Sequence, residues 1–253
     1  MNQVHIAVTI TGADDNVDVM DLVALADRFE FVEWGILISP KRHGTSRYPT
    51  VEWLNALRDV CLRDNPQPLR LAAHFCGAAA RDTIAGDPQH IDAPYMDAFR
   101  RVQLNGYMAA RTGSEHFGAG ALRKFVNERD RWVEFILQAQ SVDDAHEAAL
   151  DARNIGRATV LYDPSGGRGI YPGETGGGGW PTVPLPFNVS MGFAGGIGPD
   201  NVAEVLAAVG HHKGMWIDME SGVRDAEDNF DLNRVEDVLK KVSHAFATGV
   251  ISR

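Results

Sequence analysis

The chain has 253 residues, 44% of them hydrophobic, with 26 glycines and 12 prolines, the size of one α/β barrel domain of roughly 250 residues. A formal net charge of −10 and the lack of any dense Lys/Arg run argue against duplex nucleic acid and anionic membranes as partners. Two cysteines, Cys61 and Cys76, stand in no metal-ligand spacing and read as reduced thiols, and with no signal-like N-terminus and no apolar run of about 18 residues a cytoplasmic chain is expected.

Short apolar runs alternate with helical patterns along the chain, as parallel βα units require. Val4–Thr11 reads as a first strand, closed by Gly12 and an Asp-rich turn, with a helix over 17–28 behind it. Phe29–Ser39 is the second strand; Thr50 is placed to cap a helix carrying Val51, Leu54, Leu57 and Cys61 on one side. Leu69–Phe75 is the third strand, followed by a polar segment and a short helix near Pro94–Phe99. Val102–Asn105 is the fourth, with a glycine-punctuated loop and a helix over 119–129. Trp132–Gln138 is the fifth, and Ser141–Arg153 a helix whose acidic first turn suits its positive end. Ala158–Tyr162 is the sixth, ending at Asp163 before a long loop with four consecutive glycines, Gly176–Gly179. Phe187–Phe193 and Gly214–Met219 complete the set, with helices starting near Pro199 and at Leu232. Eight such units predict a (β/α)8 barrel, residues 1–253 forming a single domain. A dinucleotide-binding fold would need a glycine fingerprint after its first strand, and Gly12 alone is none.

Barrels of this kind carry their chemistry at strand C-terminal ends. After strand seven, Ala194-Gly195-Gly196-Ile197-Gly198-Pro199 brings glycine amides and a helix start to one place, and Ser221-Gly222 adds a hydroxyl and further amides from the next loop. That pair of loops suits a phosphate group. Asp163 at the mouth of strand six could serve as a general acid if burial raises its pKa. No metal site and no cofactor is implied; the expected partner is a phosphorylated small molecule.

These segments resemble the phosphoribosylanthranilate isomerases of tryptophan biosynthesis. Phe193-Ala194-Gly195-Gly196-Ile197-Gly198-Pro199-Asp200-Asn201 is similar to that family's strand-seven phosphate loop, and Asp218-Met219-Glu220-Ser221-Gly222-Val223 to its strand-eight loop. Ser46-Arg47-Tyr48, Val102-Gln103-Leu104-Asn105-Gly106 and Leu161-Tyr162-Asp163 complete five signatures in order. The resemblance implies an Amadori rearrangement of an aminoaldose to an aminoketose. It makes Asp163 the general acid, Arg47 a clamp for the substrate carboxylate, and Gly195, Gly196, Ser221 and Gly222 the phosphate cradle.

The departures are specific. Thr11 stands where the family carries its general-base cysteine, and Asn105 where it carries a histidine. A threonine hydroxyl is a poor source of a base near neutral pH, so Cys76, Glu33 and His74 are the replacement candidates. Extra residues lie around 106–118 and 169–181. The alternative expectation is a catalytically silent or repurposed barrel that binds a phosphorylated metabolite.

Overall fold

The computed structural model describes residues 8–63, 68–111, 118–128, 133–172, 180, 189–212 and 214–251. Eight parallel strands, β1 (Val8–Thr11), β2 (Val32–Ile38), β3 (Leu71–Phe75), β4 (Arg101–Leu104), β5 (Glu134–Ala139), β6 (Ala158–Tyr162), β7 (Met191–Ala194) and β8 (Trp216–Met219), pair in chain order. β8 returns to β1 with Thr9 opposite Asp218, which closes the sheet. The chain is a (β/α)8 barrel, as its alternating pattern predicts. Around it lie α1 (Val19–Arg28), α2 (Val51–Arg63), α3 (Ala78–Ile84), α4 (Tyr107–Ala110), α5 (Ala119–Glu128), α6 (Val142–Ile155), α7 (Val202–Val209) and α8 (Leu232–Ala247).

The period of two along each strand divides the residues between two cores. Val8, Ile10, Phe135, Leu137, Val160 and Ile217 point outward and pack beneath the helices. The helices begin where side chains can satisfy orphan amides: Asp18 accepts from Met20, Ser141 from Asp144, and Asp231 from Asn233 and Arg234. Inward-facing residues fill the barrel in tiers. At the N-terminal end Arg101 donates to Glu33 (2.8 Å), Glu134 (3.2 Å) and Thr159 (3.3 Å) and lies over the Trp216 ring. Ala72, Ile136, Leu161, Ala194 and Trp216 form an apolar layer above it. That layer separates the ion cluster from the open C-terminal end.

Some local boundaries differ from expectation. β2 starts at Val32, because Phe29 ends α1, its amide donating to Leu25. α3 and α4 occupy segments that read as loop. Ala79 and Ala80 are buried against the barrel, so packing and not an amphipathic stripe holds α3. The turn near Pro94 is a 3-10 segment, Pro94–Ala98. The expected strand starts at Val4, Trp132 and Phe187, and Gly176–Gly179, lie outside the described residues. Among the described residues no helix is long and apolar enough to cross a membrane.

Candidate active site

The top tier of the barrel forms the floor of a cavity open at the strand C-terminal ends. Thr11 of β1, His74 of β3, Gln103 of β4, Gln138 of β5 and Asp218 of β8 line it, joined by Asn105 and Asp163 just beyond β4 and β6. Gly35 makes this floor possible from β2. A Cβ there would lie 2.2 Å from the Thr11 hydroxyl and 2.9 Å from the His74 ring, so the missing side chain is the space those two groups occupy. Gly35 therefore serves the barrel interior.

Two carboxyls face this cavity in different surroundings. Asp218 is 6% exposed and accepts one hydrogen bond, from the Thr11 hydroxyl at 2.8 Å. Burial, opposed by that bond and reinforced by Glu220, Asp163 and Glu33, pushes its pKa up to about 8. Asp163 is 4% exposed but meets four donors: Gln138 Nε2 (2.8 Å), the Ser165 hydroxyl (2.6 Å), and the amides of Ser165 (3.1 Å) and Gly167 (2.6 Å). Its turn and the neighbouring strand thus fix its orientation. His74 is 2% exposed, its Nε2 has no partner among the described residues, and burial aided by Arg101 lowers its pKa to about 3. It is a neutral imidazole at any working pH.

The raised pKa of Asp218 has a signed consequence for stability. The native state keeps a proton that the unfolded chain releases near pH 4, so this group's contribution falls as pH rises from about 4 to about 8. Asp218→Asn is expected to remove that fall, making the variant more stable relative to the parent at pH 8 than at pH 5 by a few kcal/mol. Urea denaturation of both proteins at the two pH values measures it. Glu33, raised by burial, and His74 titrate in both proteins and cancel in the difference. An unchanged difference between the two pH values would contradict the assignment.

The glycine loops complete the lining, and a Cβ on Gly195 would lie 3.7 Å from Asp163 Oδ1. The backbones after β7 and β8 touch: a Cβ on Gly222 would fall 2.0 Å from the Ile197 carbonyl oxygen. Gly195 and Gly196 have φ of 123° and 61°, the left-handed region that glycine enters without strain. Asn201 holds the first loop by donating to the Gly196 carbonyl (2.8 Å) and accepting from the Gly198 amide (2.9 Å). Arg234 of α8 holds the second by donating to the Gly222 carbonyl at 3.1 Å. The amides of Gly195, Gly196, Ser221 and Gly222 donate to no other described residue, and all four residues line the cavity. Gathered N–H groups of this kind are what an anion requires.

The remaining expected residues lie elsewhere. Arg47 is outside the lining and is spanned by Glu220 (2.6 Å) and Asp228 (2.5 Å), which hold its guanidinium firmly protonated. Cys76 is also outside the lining. Its thiol receives a bond from Asn105 Nδ2 at 3.1 Å, and burial pushes its pKa up. Glu33 belongs to the ion cluster at the opposite end. The residue that sequence reasoning missed is Asp218. Two residues beyond Trp216 on β8, it shares the inward face that strand alternation gives that ring. No cluster of three or more His, Cys, Asp or Glu among the described residues could hold a metal.

No protein-family model matches the chain, and no curated protein matches it in sequence. Its structure is similar to phosphoribosylanthranilate isomerase from Thermus thermophilus, with 17% identity over 94% of this chain and 98% of that one and a TM-score of 0.59. It is similar to monomers generated from the dimeric phosphoribosylanthranilate isomerase of Thermotoga maritima, at 18% identity over 94% and 98% with a TM-score of 0.56. 3-Hexulose-6-phosphate synthase from Salmonella typhimurium follows at 10% identity over 94% and 99%, TM-score 0.50. At these identities the likeness establishes a shared barrel fold.

Proposed function

We propose that this barrel is an intramolecular oxidoreductase that isomerises a phosphorylated aldosylamine to the aminoketose. The observation that carries the reading is the presence, in one cavity, of four amides that donate to no other described residue and of two buried carboxyls, Asp163 and Asp218. The amides of Gly195, Gly196, Ser221 and Gly222 hold the phosphate. Asp163 keeps the acid's role that the resemblance gives it and protonates the sugar ring oxygen as the ring opens to the imine. The 2.6 Å contact with Ser165 allows this, because a hydroxyl can accept as well as donate. Asp218 then takes the proton from C2 to give the enolamine, which becomes the ketone when its C2 hydroxyl proton is released and C1 is protonated.

In this reading Thr11 is a positioning residue, and its hydroxyl orients the base that replaces the family's cysteine. A carboxylate whose pKa lies near 8 is a much stronger base than an ordinary one and is partly ionised at neutral pH. The activity is therefore expected to rise with pH toward about 8. Incubation with ribosylamine 5-phosphate in D2O, followed by NMR, tests the reading: deuterium should enter C1 of the ketose product. A second reading, a silent barrel that binds phosphate esters, is favoured by the saturation of Asp163 with four donors. Binding of phosphate esters without turnover of any aldose–ketose pair would establish it instead.

A further inference from the structure

We infer that the ligand of this cavity is a phosphate monoester whose far end bears amine or hydroxyl groups and no carboxylate. The inference rests on the anion cradle proposed above and narrows what fills it. Beyond the cradle, the acids lining the cavity are Asp163, Glu220 and Asp218, the last largely protonated at neutral pH with its pKa near 8, and the lining holds no Lys or Arg among the described residues. His74 adds no positive charge, since its ring is neutral.

Of the arginines near the mouth, Arg168, between the lining residues Gly167 and Gly169, is exposed and gives its Nε to the Ser165 carbonyl at 2.8 Å, and the others are committed elsewhere. Arg47 is gripped by Glu220 and Asp228. Arg224 is buried and donates to the Gly12 carbonyl and to Asp228. Arg42 lies outside the lining, stacked on Tyr48 at 4.1 Å. Segments 173–179 and 181–188 contain no Lys or Arg in their sequence.

Glu220 therefore occupies, with its own carboxylate, the guanidinium that would receive a substrate's. A second carboxylate would enter a cavity already lined by acids, with no countercharge in the lining itself to offset the repulsion. An amine or hydroxyl would instead meet acceptors, and a hydroxyl would give the orphaned Nε2 of His74 its missing partner.

Calorimetric titration of the full chain with inorganic phosphate and a matched pair of esters tests this. The pair is 1-amino-1-deoxyribitol 5-phosphate and 5-phosphoribonate, which differ in an amine against a carboxylate at C1. The amine should bind at least roughly tenfold more tightly than the carboxylate, a gap of about 1.4 kcal/mol. Glu220→Gln, which removes one negative charge and releases one arm of Arg47, should narrow that gap. Equal or tighter binding of 5-phosphoribonate to the parent protein, with inorganic phosphate still bound, would overturn the inference and leave the cradle standing. Silence with all three compounds would overturn both.

Discussion

Asp163→Asn is expected to lower kcat for aldosylamine isomerisation by about 10²–10⁴, the usual loss when a positioned acid is removed. The asparagine keeps the size and one oxygen of the carboxyl but carries no transferable proton. Its amide nitrogen also meets at least one group that only donates, since Gln138 Nε2 and the Gly167 amide both point at Oδ2. KM for the phosphate ester should stay within about threefold, because Asp163 supplies none of the cradle amides; a loss confined to kcat is the signature of a group acting in the transition state. Steady-state kinetics with ribosylamine 5-phosphate separates the two constants. A variant that keeps full kcat would refute the acid's role. Equal damage to KM and to the urea midpoint would mark Asp163 as a brace for its loop.

The second large effect concerns binding. Gly222→Ala puts a methyl 2.0 Å from the Ile197 carbonyl oxygen and 2.8 Å from Gly198 Cα, and atoms cannot remain at such separations. The strand-seven and strand-eight loops must part, and the four amides proposed to hold the phosphate are split into two pairs. Affinity for inorganic phosphate should fall by about a hundredfold or more, roughly 2.7 kcal/mol at that ratio. Overpacking of this kind also costs about 1–3 kcal/mol of stability, so binding should be measured well below the melting transition. Asn201→Ala offers an independent route to the same loop, because it removes both clamps on Gly196 and Gly198 without adding bulk. If both variants bind phosphate at parental strength, the cradle is not where the anion sits.

These two variants probe different groups of one cavity, and they fail differently. Loss of Asp163 leaves a site that binds and does not turn over. Loss of the Gly222 contact leaves proton-transfer groups with nothing held before them. The Thr11–Asp218 pair is common to both outcomes, because it belongs to the strands and not to either loop.

Much of this was legible in the chain itself. Alternation of apolar runs and amphipathic stretches determined eight βα units, since burial on both faces of a parallel strand demands nearly continuous apolar residues. Gly195, Gly196 and Gly222 were legible as loop residues that permit close backbone approach, because glycine's lack of a Cβ is a property of the residue before any folding. Asp163 was legible because it ends a strand. Tertiary structure alone decided which groups meet. Asp218 lies 207 positions from Thr11, and only barrel closure brings β8 beside β1 and makes the pair. The same closure sets Glu220 against Arg47, 173 positions away, so that a guanidinium free in the sequence is already neutralised in the fold. Local pattern fixes what each segment is, because it is set by neighbours a few residues apart; pairing of charges and the pKa values that follow depend on distance in space and on water excluded by the whole molecule.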